Sequence, residues 1–193
     1  MKKRIPIVRG FTLIELMVTV ALVAILMSVA VPSLTSFQRN AELTSFSNTM
    51  LAGINGARGE AMKRGGYAMV VPIDSTNWSS GWVVFVDIDR SQAYEAASDV
   101  TILTSETSPS YLTITANGTA ADSPPYIMFD ASGYSKNKAG GPGDQTFSIK
   151  RNDVTGTYEH AQTRRIKIAR TGRVRVCSPK SSTDANCSAS SGL

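Results

Sequence analysis

The sequence predicts an α+β protein in which one long N-terminal α-helix, its first half transmembrane, packs on an antiparallel β-sheet domain. Three observations carry this. Phe11 to Val31 form an apolar run interrupted only by Thr12, Glu15, Thr19 and Ser28. Leu43, Phe46, Met50, Ile54, Ala57 and Ala61 then recur at three- and four-residue spacing, the period of a half-buried helix. From Tyr67 onward, short β-rich runs alternate with turn residues.

As a helix, the apolar run is about 31 Å long, enough to cross a bilayer's hydrocarbon core. The basic stub before it, with Lys2, Lys3, Arg4 and Arg9, orients the span with the leader in the cytoplasm and the domain outside. A signal peptide would have a shorter apolar core followed by a small-residue cleavage site, whereas the candidate site here, Gly10-Phe11, precedes the core. Glu15 is the anomaly, because an acid inside such a run costs about 2.5–3.5 kcal/mol unless it finds a partner. If the chain is cut after Gly10, a new α-amino group appears at Phe11, and this amine, in the same or an adjacent subunit, is one candidate partner. Snorkelling toward the helix end is the other reading.

Arg9-Gly10-Phe11-Thr12-Leu13-Ile14-Glu15-Leu16 resembles the prepilin processing motif of type IV pilins and type II secretion pseudopilins. The resemblance implies that a prepilin peptidase of the inner membrane cuts after Gly10 and methylates the amine of Phe11. It also implies that Glu15 pairs with a neighbouring subunit's N-terminus during assembly with other major and minor pilins or pseudopilins. Pro32 stands where pilins commonly carry a helix-kinking proline.

The 193 residues therefore divide into a leader (1–10), a transmembrane helix (11–31), a periplasmic helix continuation (32–65) and a β-rich globular domain (66–193). That domain is large enough for its own core. The formal charge of +5 misleads: 20 basic residues less the four of the leader leave 16 against 15 acidic ones. Gly53, Gly56 and Gly59 weaken the helix by about 1 kcal/mol each relative to Ala but permit close backbone approach, and Gly65-Gly66 ends it. Tyr67–Ile73 and Trp82–Ile88 read as a hairpin, with further strands at 101–103, 111–115, 126–129 and 146–150, and a loop at 132–145.

Trp78-Ser79-Ser80-Gly81-Trp82-Val83-Val84-Phe85-Val86-Asp87 is similar to the W-x-x-G-W-x-V-F-x-D signature of the GspH/FimT family of minor pilins and pseudopilins. The likeness extends to Thr171-Gly172-Arg173-Val174-Arg175-Val176-Cys177, and so covers most of the chain. After Asp87 the chain departs from the family's Gly-rich acidic turn, so Asp87 and Asp89 read as solvated acids ending a strand, not as a calcium site. No metal or cofactor site is expected. No catalytic residue is expected either, since the single histidine, His160, has no nucleophile motif to serve.

Charge is unevenly spread. Residues 11–149 hold 7 basic and 12 acidic side chains, whereas residues 150–180 hold 9 basic and only Asp153 and Glu159. Arg164 to Ala169 and Arg173 to Cys177 alternate with period two around Arg170-Thr171-Gly172, which reads as a hairpin. With Ile166, Ile168, Val174 and Val176 facing the core, Arg165, Lys167, Arg173 and Arg175 share the opposite face. Like charges opposite one another weaken a hairpin, so solvent, carboxylates or a phosphate backbone must compensate. Gly172-Arg173-Val174-Arg175 resembles the Gly-Arg-x-Arg motif of DNA-binding competence pilins, and that resemblance adds double-stranded DNA as a partner. Cys177 and Cys187, in an exported domain, are expected to form a disulfide. The sequence reading is thus a minor pilin or pseudopilin of the cell inner membrane, extracellular once assembled, with a type II secretion role in protein export as the alternative.

Overall fold

The computed structural model describes residues 10–190; the leader cations Lys2, Lys3, Arg4 and Arg9 lie outside them. Its contacts divide the chain after Ala41 into two compact units, and helix α1, Leu13–Arg64, contributes to both. Thr12 caps α1, its Oγ1 accepting the Glu15 N–H at 3.2 Å. Every side chain from Leu13 to Leu34 is exposed. A helix apolar on all sides and buried on none needs lipid or other helices around it, and among the described residues only α1 is long and apolar enough to cross a bilayer. The helix continues through Pro32, whose missing N–H deprives the Ser28 carbonyl of its usual donor. It ends as expected: Gly65 turns left-handed (φ 64°) and the Gly66 N–H closes on the Ala61 carbonyl at 3.2 Å.

In the second unit α1 buries Leu43, Ser47, Met50, Ile54, Ala57 and Ala61, a seam of alternating four- and three-residue steps. Ser47 joins it because its hydroxyl is satisfied by the Leu43 carbonyl at 2.7 Å; Phe46 packs at the seam's margin. Two antiparallel sheets share this core. The first comprises β1 (Tyr67–Pro72), β2 (Trp82–Asp87), β3 (Val100–Thr104), β5 (Ile127–Phe129) and β6 (Ser135–Lys136), in the order β3-β2-β1-β5-β6. The second comprises β4 (Leu112–Ala116), β7 (Gln145–Arg151), β8 (Thr163–Ile168) and β9 (Val174–Cys177), in the order β4-β7-β8-β9. Strand β6 lies inside the expected loop; it has only two residues and no apolar run, and exists because Met128 and Phe129 pair with it.

Both faces of the first sheet are used, which explains why β2 is buried along its whole length. Val70, Val84, Val86 and Phe129 face the α1 core, while Met69, Phe85, Tyr126 and Met128 form a second cluster on the other side. The W-x-x-G-W segment joins the layers. Trp82 is fully buried, edge-on to Phe46 of α1 at 5.3 Å. Trp78 packs edge-on to Phe147 of the second sheet at 4.8 Å and donates its indole N–H to the Ala120 carbonyl at 2.8 Å. Between them Gly81 (φ 92°) lies against the Ser105 carbonyl, where a Cβ would come within 2.6 Å.

Of the three helix glycines, only Gly53 serves close approach: a Cβ there would stand 3.1 Å from the Trp82 indole nitrogen, whereas Gly56 and Gly59 meet nothing within 4 Å. Gly53→Val should therefore overpack the helix–sheet contact and cost about 1–3 kcal/mol. Gly59→Ala should stabilise by about 1 kcal/mol through helix propensity alone. Thermal denaturation of the two variants checks both signs.

Candidate functional site: the basic hairpin and its cover

The expected hairpin forms with the expected inward face. β8 and β9 pair antiparallel with Arg165 opposite Cys177, Ile166 opposite Val176, Lys167 opposite Arg175 and Ile168 opposite Val174. Ile166 and Ile168 are buried in the core, with Val174 and Val176 packed against it. Arg173 continues the register, its carbonyl accepting the Ala169 N–H at 2.9 Å. Arg164 falls on the inner face, reaching Thr44 of α1 at 3.3 Å.

Other cations of the basic segment meet carboxylates: Lys150 with Glu159 at 2.7 Å, Arg151 with Asp153 at 2.8 Å and Arg170 with Asp144 at 3.1 Å. Among the described residues, Arg165, Lys167 and Arg175 do not. They are met instead by neutral oxygens of the chain itself, a form of compensation that the sequence, which pointed to solvent, carboxylates or a phosphate backbone, did not show. Segment 186–190 crosses the outside of the second sheet as a strap. Arg175 Nη2 donates to the Asn186 carbonyl at 2.7 Å, Arg165 Nη1 to the Cys187 carbonyl, and Lys167 Nζ to Ser188 Oγ at 3.4 Å. Asn117 Nδ2 then donates to the Ala189 carbonyl at 2.7 Å, and Thr146 Oγ1 to the Ser190 carbonyl at 3.2 Å.

The expected disulfide, Cys177–Cys187, is present, and strand alternation explains where it leads. Cys177 lies two residues after Arg175, so its sulfur leaves β9 on the cationic side and ties the strap there. Asp184 shapes the approach, accepting the Lys180 N–H at 3.0 Å and the Asn186 N–H at 3.0 Å. These backbone bonds hold its carboxyl below the ordinary range, the Lys180 N–H contributing most. Its charge is thus engaged by backbone amides and makes no ion pair with the hairpin cations.

The cover leaves an electrostatic debt. Lys167 is 2% exposed; burial, reinforced by the Arg175 and Arg165 charges, lowers its pKa. The Nε atoms of Arg165 and Arg175 are buried without a hydrogen-bond partner. Arg173 alone of the four is exposed. Gly172 plays a structural part: it is buried and left-handed (φ 77°), its N–H is spent on the Ala169 carbonyl at 2.8 Å, and a Cβ would collide with the Gly133 carbonyl that Arg58 Nε holds at 2.9 Å.

The family of the type II transport protein GspH matches residues 47–172, and the prokaryotic N-terminal methylation motif matches residues 7–31. The chain belongs to the GspH family. No curated protein matches it in sequence. Among solved structures, the type IV minor pilin FimU of Pseudomonas aeruginosa PAO1 is similar at TM-score 0.52 and 20% identity, over 75% of this chain and 98% of that one. A second crystal form of FimU gives 0.48 and 19%, over 75% and 97%. This GspH-family chain therefore has the pilin fold, with its N-terminal helix packed on antiparallel sheets.

The family signature's Asp87 is not the solvated acid expected from sequence. It is 3% exposed and accepts N–H bonds from Ser91 and Gln92, both at 3.1 Å. Burial raises its pKa against the opposing pull of the Gln92 N–H. Asp99 receives the Ile88 N–H at 3.2 Å and the Glu95 N–H at 2.9 Å. Asp87, Asp89 and Asp99 come close enough to share a cation, and the amide bonds to Asp87 and Asp99 brace the loop after β2. At the N-terminus, Gly10 and Phe11 are exposed, and Glu15 makes no ion pair among the described residues.

Lys167→Met should raise the thermal midpoint or leave it unchanged, because it removes a buried charge that has only one long hydrogen bond. Since the folded-state pKa of Lys167 lies below its unfolded value, the unfolded chain holds more protons between the two. The parent should then gain stability relative to Lys167→Met as pH rises through that window toward about 10.4. Denaturation at neutral and alkaline pH measures the difference; a clear loss of stability in the variant at neutral pH would contradict the account.

Proposed function

We propose that the chain is a minor pilin of a type IV pilus, cleaved after Gly10 by a prepilin peptidase and methylated on the Phe11 amine. It is held in the inner membrane by residues 11–31 with the β domain periplasmic, and is then drawn into a fibre with other major and minor pilins. One observation carries this: among the described residues Glu15 has no ion-pair partner, and every side chain of the helix from Leu13 to Leu34 is exposed. Lipid can cover the apolar residues but not match the acid, and a neighbouring subunit's N-terminal amine can. The FimU likeness supports a pilus component. The GspH family description supports the alternative, a pseudopilin acting in protein export.

A second reading adds DNA binding through Arg165, Lys167, Arg173 and Arg175. It is favoured by the absence of carboxylate partners for these four cations among the described residues and by the exposure of Arg173. Arg173 and the fringe of Arg175 supply the accessible charge, so binding to duplex DNA should be weak and should fade steeply with salt.

Glu15→Val should insert in the membrane at least as well as the parent, since it removes a penalty of about 2.5–3.5 kcal/mol, yet appear far less in sheared fibres. Equal incorporation would refute the pairing. Mass spectrometry of the mature chain should find a methylated Phe11 terminus, and Gly10→Val should retain the leader.

A further inference from the structure

Resting on the DNA reading of the hairpin, we infer that segment 186–190 is a displaceable cover occupying a site for phosphate oxygens, tethered in place by Cys177–Cys187. The Asn186 carbonyl, the Cys187 carbonyl and Ser188 Oγ sit on Arg175, Arg165 and Lys167, where the oxygens of a polyanion would sit. They are neutral substitutes for a charged ligand. Two guanidinium Nε groups go unpaired and no described carboxylate pairs with the three cations, so the closed state is electrostatically incomplete. A phosphodiester backbone offers what the cover lacks: negative charge and paired acceptor oxygens that match a guanidinium fork.

The tether makes the cover competitive. Joined to β9 through a short disulfide loop, segment 186–190 meets its cations as an intramolecular ligand at high effective concentration. DNA must displace it, so the apparent affinity falls by the fraction of molecules that are open. Opening by reduction needs a dithiol reductant: two electrons pass to the Cys177–Cys187 bond, the S–S bond breaks, each sulfur takes a proton, and the reductant becomes its own disulfide. Arg165, Lys167 and Arg175 are then freed beside Arg173.

The test measures anisotropy of a labelled double-stranded DNA oligonucleotide of random sequence against the detergent-solubilised full chain, oxidised and after dithiol reduction, with circular dichroism confirming the fold. Reduction should tighten binding at least tenfold and steepen the slope of log affinity against log salt by about 2.7, for three added phosphate contacts at about 0.9 each. The triple change Arg165→Gln, Lys167→Gln, Arg175→Gln should abolish that gain. Ser188→Glu leaves the disulfide intact and places a carboxylate beside Lys167; it should weaken binding of the oxidised chain at least threefold more than Ser182→Glu, which adds the same charge at an exposed position of the loop. Equal DNA affinity in oxidised and reduced chains, or equal effects of the two Glu variants, overturns the cover while leaving the DNA reading standing. No binding at low salt in either redox state removes the DNA reading and the cover with it.

Discussion

The domain depends on one contact, the docking of Trp82 into the gap left by Gly53 on α1. A side chain of that size, wholly buried, contributes a few kcal/mol by area alone, and Gly53 lets it lie close to α1, since a Cβ there would stand 3.1 Å from the indole nitrogen. Gly81 then turns the chain so that Trp78, four residues away, reaches Phe147 in the other sheet. One short motif thereby pins the helix to the first sheet and the first sheet to the second. The hairpin that carries the cations hangs from this arrangement, since Ile166 and Ile168 are part of the same core.

Where the core is self-sufficient, the charges are not. Among the described residues Glu15 has no ion-pair partner, and Arg165, Lys167 and Arg175 are met by carbonyls and a hydroxyl in place of carboxylates. Unmatched charges are costly when buried or placed in a membrane, and the assembly and DNA readings proposed above rest on that cost. By contrast Lys150, Arg151 and Arg170, in the same basic segment, are matched locally. The segment's excess charge is therefore concentrated on one face of one hairpin.

Much of this was legible in the sequence because it is periodic. The α1 seam, its Gly65-Gly66 end, the β1–β2 hairpin and the β8–β9 hairpin all follow from spacing, and Thr12-x-x-Glu15 is a capping signal that the Thr12–Glu15 bond fulfils. Three things were hidden for physical reasons. Ser47 enters the seam because its own helix satisfies its hydroxyl, which hydropathy cannot register. The bracing role of Asp87 depends on amides of a loop whose conformation has no pattern. The strap, a neutral run of small polar residues, has no period at all; its one clue was parity, since Cys177 alternates with Arg175 and so had to open toward the cations. The family signature marked Trp78 and Trp82 as a unit, but their partners Phe147 and Gly53 are distant in sequence.

Amine acetylation read by peptide mass spectrometry tests the closed hairpin most directly. In the oxidised, folded chain the account predicts that Lys63, with 72% of its side chain exposed, is modified readily while Lys167, 2% exposed, is modified far more slowly. Modification of Lys167 as fast as Lys63 would show that no strap covers the cationic face.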